Sequence, residues 1–186
     1  MKKLLVMAAA CCLLLSCNNK PAESTTTTST DTSSMAKETK TPPQSEFADA
    51  KYAELGKKGL AAMSSGDMDA WVNDYADNAM FRWSSGDSLA GKAAIGAWWK
   101  ERRSKVIDSI QFSNDIWLPL KVNTPQKGPD IPGIWLLGWY QVNVKYKNGK
   151  KLQFWVHTDS HYNSSDKIDL TIQYIDKAPI NKAVGK

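Results

Sequence analysis

Cysteine is nearly absent from this chain of 186 residues: the three present are Cys11, Cys12 and Cys17, and none follows. Beyond residue 17 there is therefore no disulfide, no thiolate nucleophile and no cysteine metal ligand to invoke. Any folded domain must rest on an ordinary apolar core. Histidine is scarce as well, with only His157 and His161. Long apolar runs are missing, because the block from Leu4 to Leu15 is twelve residues, whereas a membrane-spanning helix takes about 20. No single sign of charge dominates. From residue 51 onward nineteen Lys or Arg stand against fourteen acids, a mild excess that does not point to a nucleic-acid partner.

What the amino terminus does contain is a basic Met1-Lys2-Lys3, the apolar block, and then Ser16-Cys17, the three parts of an export signal. Leu14-Leu15-Ser16-Cys17 resembles the bacterial lipobox. That resemblance implies a signal peptide over 1–16, cleavage before Cys17, a thioether lipid on Cys17 and acylation of the new amino terminus by a palmitate-type chain. It places the protein on a bacterial membrane of the cell envelope, with the outer membrane expected. Several acyl chains on one residue anchor stably, at about 0.8 kcal/mol per buried methylene. An ordinary cleaved signal is the alternative.

Residues 18–45 hold thirteen Ser or Thr, three Pro and no aromatic residue. Such a segment buries too little apolar surface to offset chain entropy, so 17–45 reads as a disordered stalk behind the anchor. The remainder reads as one domain over 46–178 with a flexible tail at 179–186.

Within that domain, Ser45 as an N-cap predicts a helix to Met63, with Ala48, Tyr52, Leu55, Gly59 and Met63 on one stripe. Gly56 and Gly59 weaken it. Asp67 caps a second helix in which Met68, Trp71, Val72 and Tyr75 share a face. A strand from Met80 to Trp83 and a turn lead to a third helix from about Lys92, with Ile95, Trp98, Trp99 and Val106 inward. The cations Lys100, Arg102, Arg103 and Lys105 near its end complement the helix dipole. Past residue 108 the period becomes two, with a bulge expected near Ser113-Asn114. Two long strands then meet at Asn148-Gly149, read as a two-residue hairpin turn that pairs Lys147 with Lys150. On that register Tyr140 opposes His157, and Val142 opposes Trp155.

The run Gly66-Asp67-Met68-Asp69-Ala70-Trp71-Val72-Asn73-Asp74-Tyr75-Ala76-Asp77-Asn78-Ala79, with Gly91-Lys92-Ala93-Ala94-Ile95 and the terminal Lys167-Ile168 and Tyr174, resembles the nuclear-transport-factor-2-like superfamily, including its SnoaL-like cyclases and ketosteroid isomerases. The resemblance covers residues 46–177. It implies an α+β, cystatin-like cone: three N-terminal helices packed on a strongly curved, mixed, mostly antiparallel sheet, with a pocket between them. Carried over residue by residue, it puts the isomerase general base at Trp83 and its oxyanion donors at Gly59 and Thr158. None of these supplies a base or a strong acid, so isomerase chemistry is not expected. The same alignment turns Trp83, Trp139, Gln141, Phe154, Val156, Thr158 and Gln173 toward the pocket, with Tyr75 and Trp98 lining it from the helices. An aromatic lining with few polar groups suits a small flat ligand. The alternative is that these aromatics fill the cone as core, the reading favoured for Trp71 and Tyr75.

His157 and His161 are about 13 Å apart on a strand, so they cannot share one metal ion, and neither metal nor cofactor is expected. The resemblance turns the His157-Asp159 row onto the convex face, through which many relatives dimerise. A one-residue bulge would turn it inward, making His157 and Asp159 an acid-base pair for a hydrolase or cyclase. Three functions are thus open: an envelope-anchored binding domain, an enzyme using that pair, and a homodimeric protein-interaction module.

Overall fold

Gly56 and Gly59 weaken the first helix on propensity, and Gly56 sits where that helix meets the sheet. A methyl group on Gly56 would fall 2.7 Å from the Trp117 ring, so only glycine lets the helix settle onto that indole. These contacts belong to a computed structural model that describes residues 41–126 and 131–185. The expected signal peptide, Cys17 and the stalk through residue 40 lie outside the described residues, as does 127–130 of the Pro/Gly loop.

In chain order the elements are β1 (Ser45–Phe47), α1 (Lys51–Ser65), α2 (Met68–Asn73), β2 (Tyr75–Trp83), β3 (Ser88–Ala90), α3 (Lys92–Lys105), β4 (Ile107–Val122), β5 (Gly133–Tyr146), β6 (Lys151–Tyr162), β7 (Ile168–Tyr174) and α4 (Lys177–Val184). The strands form one sheet in the order β1-β4-β5-β6-β7-β2-β3. Only β2 and β7 pair in parallel, so the sheet is mixed and mostly antiparallel, and the domain is α+β.

Asp67 caps α2 as its sequence predicts, its side chain accepting from the Ala70 amide at 2.9 Å. The bulge also appears, with the β4 register shifting between Ser113 and Ile116 and Asn114 at φ 53°. Other expectations are corrected. Ser45 is no helix cap but opens β1, pairing with Val122. Tyr75 does not extend α2; it is the first residue of β2. The helices are not simply three at the N-terminus, because β1 precedes them, β2 and β3 separate α2 from α3, and a fourth helix ends the domain. That helix, α4, replaces the expected flexible tail: Asp176 caps it, Ile180 and Ala183 are buried in the main core, and the Asn148 side chain donates to the Ala183 carbonyl at 2.7 Å.

The largest correction is the hairpin. The Gly149 amide donates to the Tyr146 carbonyl at 2.9 Å and the Tyr146 amide to the Lys150 carbonyl at 2.8 Å. Gly149 takes φ 85°, and Lys145 pairs with Lys151. The loop therefore has three residues and not two, a turn closed by a left-handed glycine. One residue of slip reverses every facing pair. Tyr140 opposes Val156, Val142 opposes Phe154, and Trp139 opposes His157. The apolar sets of both strands thereby fall together on the concave side, where they join the core with Phe81, Ile95 and Trp71.

Candidate functional site

The concave face does not close completely on the helices. Between them lies a cavity of about 350 Å³, within the size range of small-molecule sites. Its sheet wall includes Phe154, Val156, Thr158 and Gln173, as the sequence alignment expected, and Trp83 from β2. Tyr75 and Trp98 line it as well, Tyr75 from the start of β2 and Trp98 from α3. Trp139 and Gln141 do not. The three-residue hairpin puts them on the convex face, and Tyr140 and Val142 take their place.

Aromatic rings pack edge to face and tilted around the cavity. Phe81 lies 4.7 Å from Trp83 and Trp83 lies 5.0 Å from Trp98, centroid to centroid, spacings at which ring quadrupoles attract. The polar groups are few and lie together. Trp83 Nε1 donates to Gln173 Oε1 at 2.9 Å, and Thr158 and Gln173 stand beside the Tyr140 hydroxyl, drawing its pKa down against burial. Burial pushes the Tyr140 and Tyr75 phenols up, so both stay neutral donors. Gly59 also borders the cavity, and a methyl group there would have nothing nearer than Trp71 at 3.9 Å. The three positions that the resemblance assigns to base and oxyanion donors, Trp83, Gly59 and Thr158, thus all face one space. They give it shape and one hydroxyl, with no titratable group.

Among the described residues five charged side chains border the cavity: Asp74, Asp87, Arg102, Asp166 and Lys177. Lys177 Nζ sits 4.6 Å over the Trp83 ring and bonds Asp87 Oδ2 at 2.5 Å, which holds the Asp87 carboxyl below its usual range. Arg102 places its guanidinium carbon 4.9 Å over Trp98. Sequence reasoning treated Arg102 as a dipole complement and missed it here; its spacing of four from Trp98 on one helix was the available signal. Tyr140, Phe81 and Phe112 were missed as lining residues too, Tyr140 because the hairpin register was wrong.

His157 and Asp159 lie outside the cavity. The observed pairing carries them on the convex face, with His157 stacked on Trp139 at 4.4 Å and on Tyr174 at 5.3 Å. The His157 ring bonds the Gly138 carbonyl through Nδ1 at 3.0 Å, and Nε2 stands 2.9 Å from Asp159 Oδ1. Burial pushes the Asp159 carboxyl up and His157 draws it back. His161 is tied separately to Asp169 at 2.6 Å and to the Pro132 carbonyl at 3.2 Å. Among the described residues no three His, Cys, Asp or Glu side chains cluster as a metal site. No helix of the described residues is long and apolar enough to cross a membrane.

No family model matches the sequence, and no curated protein matches it. Solved structures do. A protein of unknown function from Burkholderia pseudomallei, described as like nuclear transport factor 2, superposes with a TM-score of 0.57 at 10% identity over 72% of this chain and 97% of that one. A protein from Pseudomonas putida with the provisional name polyketide cyclase gives 0.56 at 16% identity over 70% of this chain and 96% of that one. A ketosteroid-isomerase-like fold from Catenulispora acidiphila, in complex with trimethylamine, gives 0.52 at 11% identity over 71% of this chain and 92% of that one. At such identities the likeness is one of fold. The described domain has an α+β fold with a mixed sheet, consistent with a cone of the nuclear-transport-factor-2-like type.

Proposed function

We propose that this domain of nuclear-transport-factor-2-like fold is displayed at the bacterial envelope by lipid on Cys17, and that it takes up a small flat apolar ligand without transforming it. The observation that carries the reading is the aromatic cavity of about 350 Å³ in which Trp83, Gly59 and Thr158 occupy the positions where resembling isomerases keep their reactive groups. Rings around such a space bind planar molecules by area and quadrupole, and Gln173 and Thr158 supply orientation. Fold alone assigns no activity.

The enzyme reading required His157 and Asp159 to face the cavity, and the register turns both away. A contact between two copies of the chain has separate support: Ile116, Trp155 and Tyr174 are 58%, 52% and 42% exposed on the described domain. All three lie on the convex side with Trp139, an apolar row that a second subunit would cover.

The test of binding is a thermal-shift screen of the full chain against planar aromatic compounds, run beside a Gly59→Leu variant that fills the cavity and raises helix propensity. Binding in the cavity predicts a rise in Tm for the parent chain that the filled variant loses. A shift of equal size in both would reject it.

A further inference from the structure

We infer that the ligand of this cavity is a hydrophobic carboxylic acid, held with its carboxylate against the guanidinium of Arg102 and its apolar body among the rings of Trp98, Trp83 and Phe81. The inference rests on the cavity being a ligand site.

Arg102 is half-buried, borders the cavity, and has one face covered by Trp98. Among the described residues its guanidinium makes no hydrogen bond and no ion pair. The group stays charged under all ordinary conditions and none of its five N–H donors is sealed off from water, so they are open to a ligand in the cavity. The other charges on the cavity wall are spoken for or distant. Lys177 is bonded to Asp87, and Asp166 accepts from Lys51 at 2.7 Å and Tyr52 at 2.6 Å.

Asp74 remains, at the other end. Strand pairing fixes that polarity: Asp74 precedes Tyr75, which pairs with Ile168, then Tyr162, then Ile134 at the start of β5. Arg102 lies beside Tyr146, at the end of β5, close enough to draw down the phenol that burial raises. A monoanion entering the cavity therefore meets attraction at the Tyr146 end and repulsion at the Tyr162 end, which sets one orientation. The outer side of Arg102 borders a shallow recess with Lys105 and Lys147 and no acidic residue, so the approach favours an anion as well.

The geometry selects a carboxylate over a phosphate. Arg102 stands in the last turns of α3, where the negative end of the helix dipole disfavours a dianion more than a monoanion. A single planar fork matches a single carboxylate in bidentate fashion.

Isothermal titration of the full chain at neutral pH with 2-naphthoate and with its uncharged counterpart 2-naphthylmethanol tests the assignment. The carboxylate is expected to bind about tenfold tighter or more. Arg102→Gln should erase that advantage while leaving the affinity for the alcohol within about twofold, and Arg102→Lys should keep part of it. Equal affinity of the two compounds for the parent chain would overturn the inference while leaving the cavity as a binding site. So would an advantage that survives in Arg102→Gln. Failure of both compounds to bind the parent chain would overturn the binding reading and this one with it. If Arg102→Gln does not fold, the comparison in the parent chain and Arg102→Lys still decides.

Discussion

Trp83 and Gln173 are register partners on the parallel strands β2 and β7, and the indole Nε1 donates to the Gln173 amide oxygen at 2.9 Å inside the cavity wall. Both residues are buried, so this bond is the indole's alternative to water. Gln173→Leu keeps the volume and removes the acceptor, and it also takes one polar neighbour from Tyr140. The expected cost is about 1–3 kcal/mol, read as a lower urea midpoint with unchanged slope. An unchanged midpoint would mean the bond is replaced by solvent.

Two glycines facing the same interior should respond with opposite sign. A methyl group on Gly138 would stand 2.4 Å from Trp117 and 3.2 Å from Thr158 Oγ1, so Gly138→Ala should destabilise by about 1–3 kcal/mol through overpacking. Gly59, in α1, has open space beside it. Gly59→Ala should therefore stabilise by about 0.5–1 kcal/mol. Chemical denaturation of both variants checks the pair, and the same sign in both would refute the packing account.

The chain has six tyrosines, and all six phenols are pushed up, burial being the leading cause at each. A phenol with a raised folded value holds its proton more tightly in the fold than in the unfolded chain. Its contribution to stability is whole below the unfolded value of about 10 and is lost as pH climbs beyond it toward the raised values. Phenolate absorbance should show little titration near pH 10 and should then rise together with loss of secondary structure. A free transition near 10 in the folded protein would contradict this.

Trp155 is the most exposed tryptophan on the convex face, opposite Gln141. If the apolar row there joins two copies, sedimentation of the full chain gives a dimer, and Trp155→Lys shifts it to monomer at the same concentration without lowering helix or strand content. A monomeric parent chain excludes the contact.

On the lipobox reading Cys17→Ser should release the protein from membrane pellets and abolish incorporation of labelled palmitate, because that reading puts both the thioether lipid and the acylated amino group on Cys17. Retention in the pellet would point to an ordinary protein-mediated attachment.

Much of this fold was legible because its signals are local. Asp67 before Met68, Trp71 and Val72 announces α2 at its N-terminal side, and its cap is made within four residues. The bulge at Ser113-Asn114 shows as a break in period, and the turn at Asn148-Gly149 shows in its residue types. Part of the cavity wall was legible through the family resemblance, which carried Trp83, Phe154, Val156, Thr158 and Gln173 over to the pocket with Tyr75 and Trp98. Local signals also mislead at element ends. Tyr75 fits the helical period of α2 but pairs with Ile168 in the sheet, where burial outweighs one more helical turn.

What the sequence determined by itself is the α2 cap, the β4 bulge, the long strands after residue 108, the α+β class and the expectation of an anchor at Cys17, since each depends on neighbours along the chain. What only tertiary structure decided is which faces meet. Asn148-Gly149 permits a loop of two residues or of three, and Gly149 in a left-handed conformation satisfies either. Packing chooses three, because that register puts Tyr140 and Val142 with Val156 and Phe154 on the buried side. The same choice sends Trp139, Gln141 and the His157-Asp159 pair outward. Packing of α3 beside Tyr146 likewise sets Arg102, four residues past Trp98, at the cavity without a protein partner among the described groups.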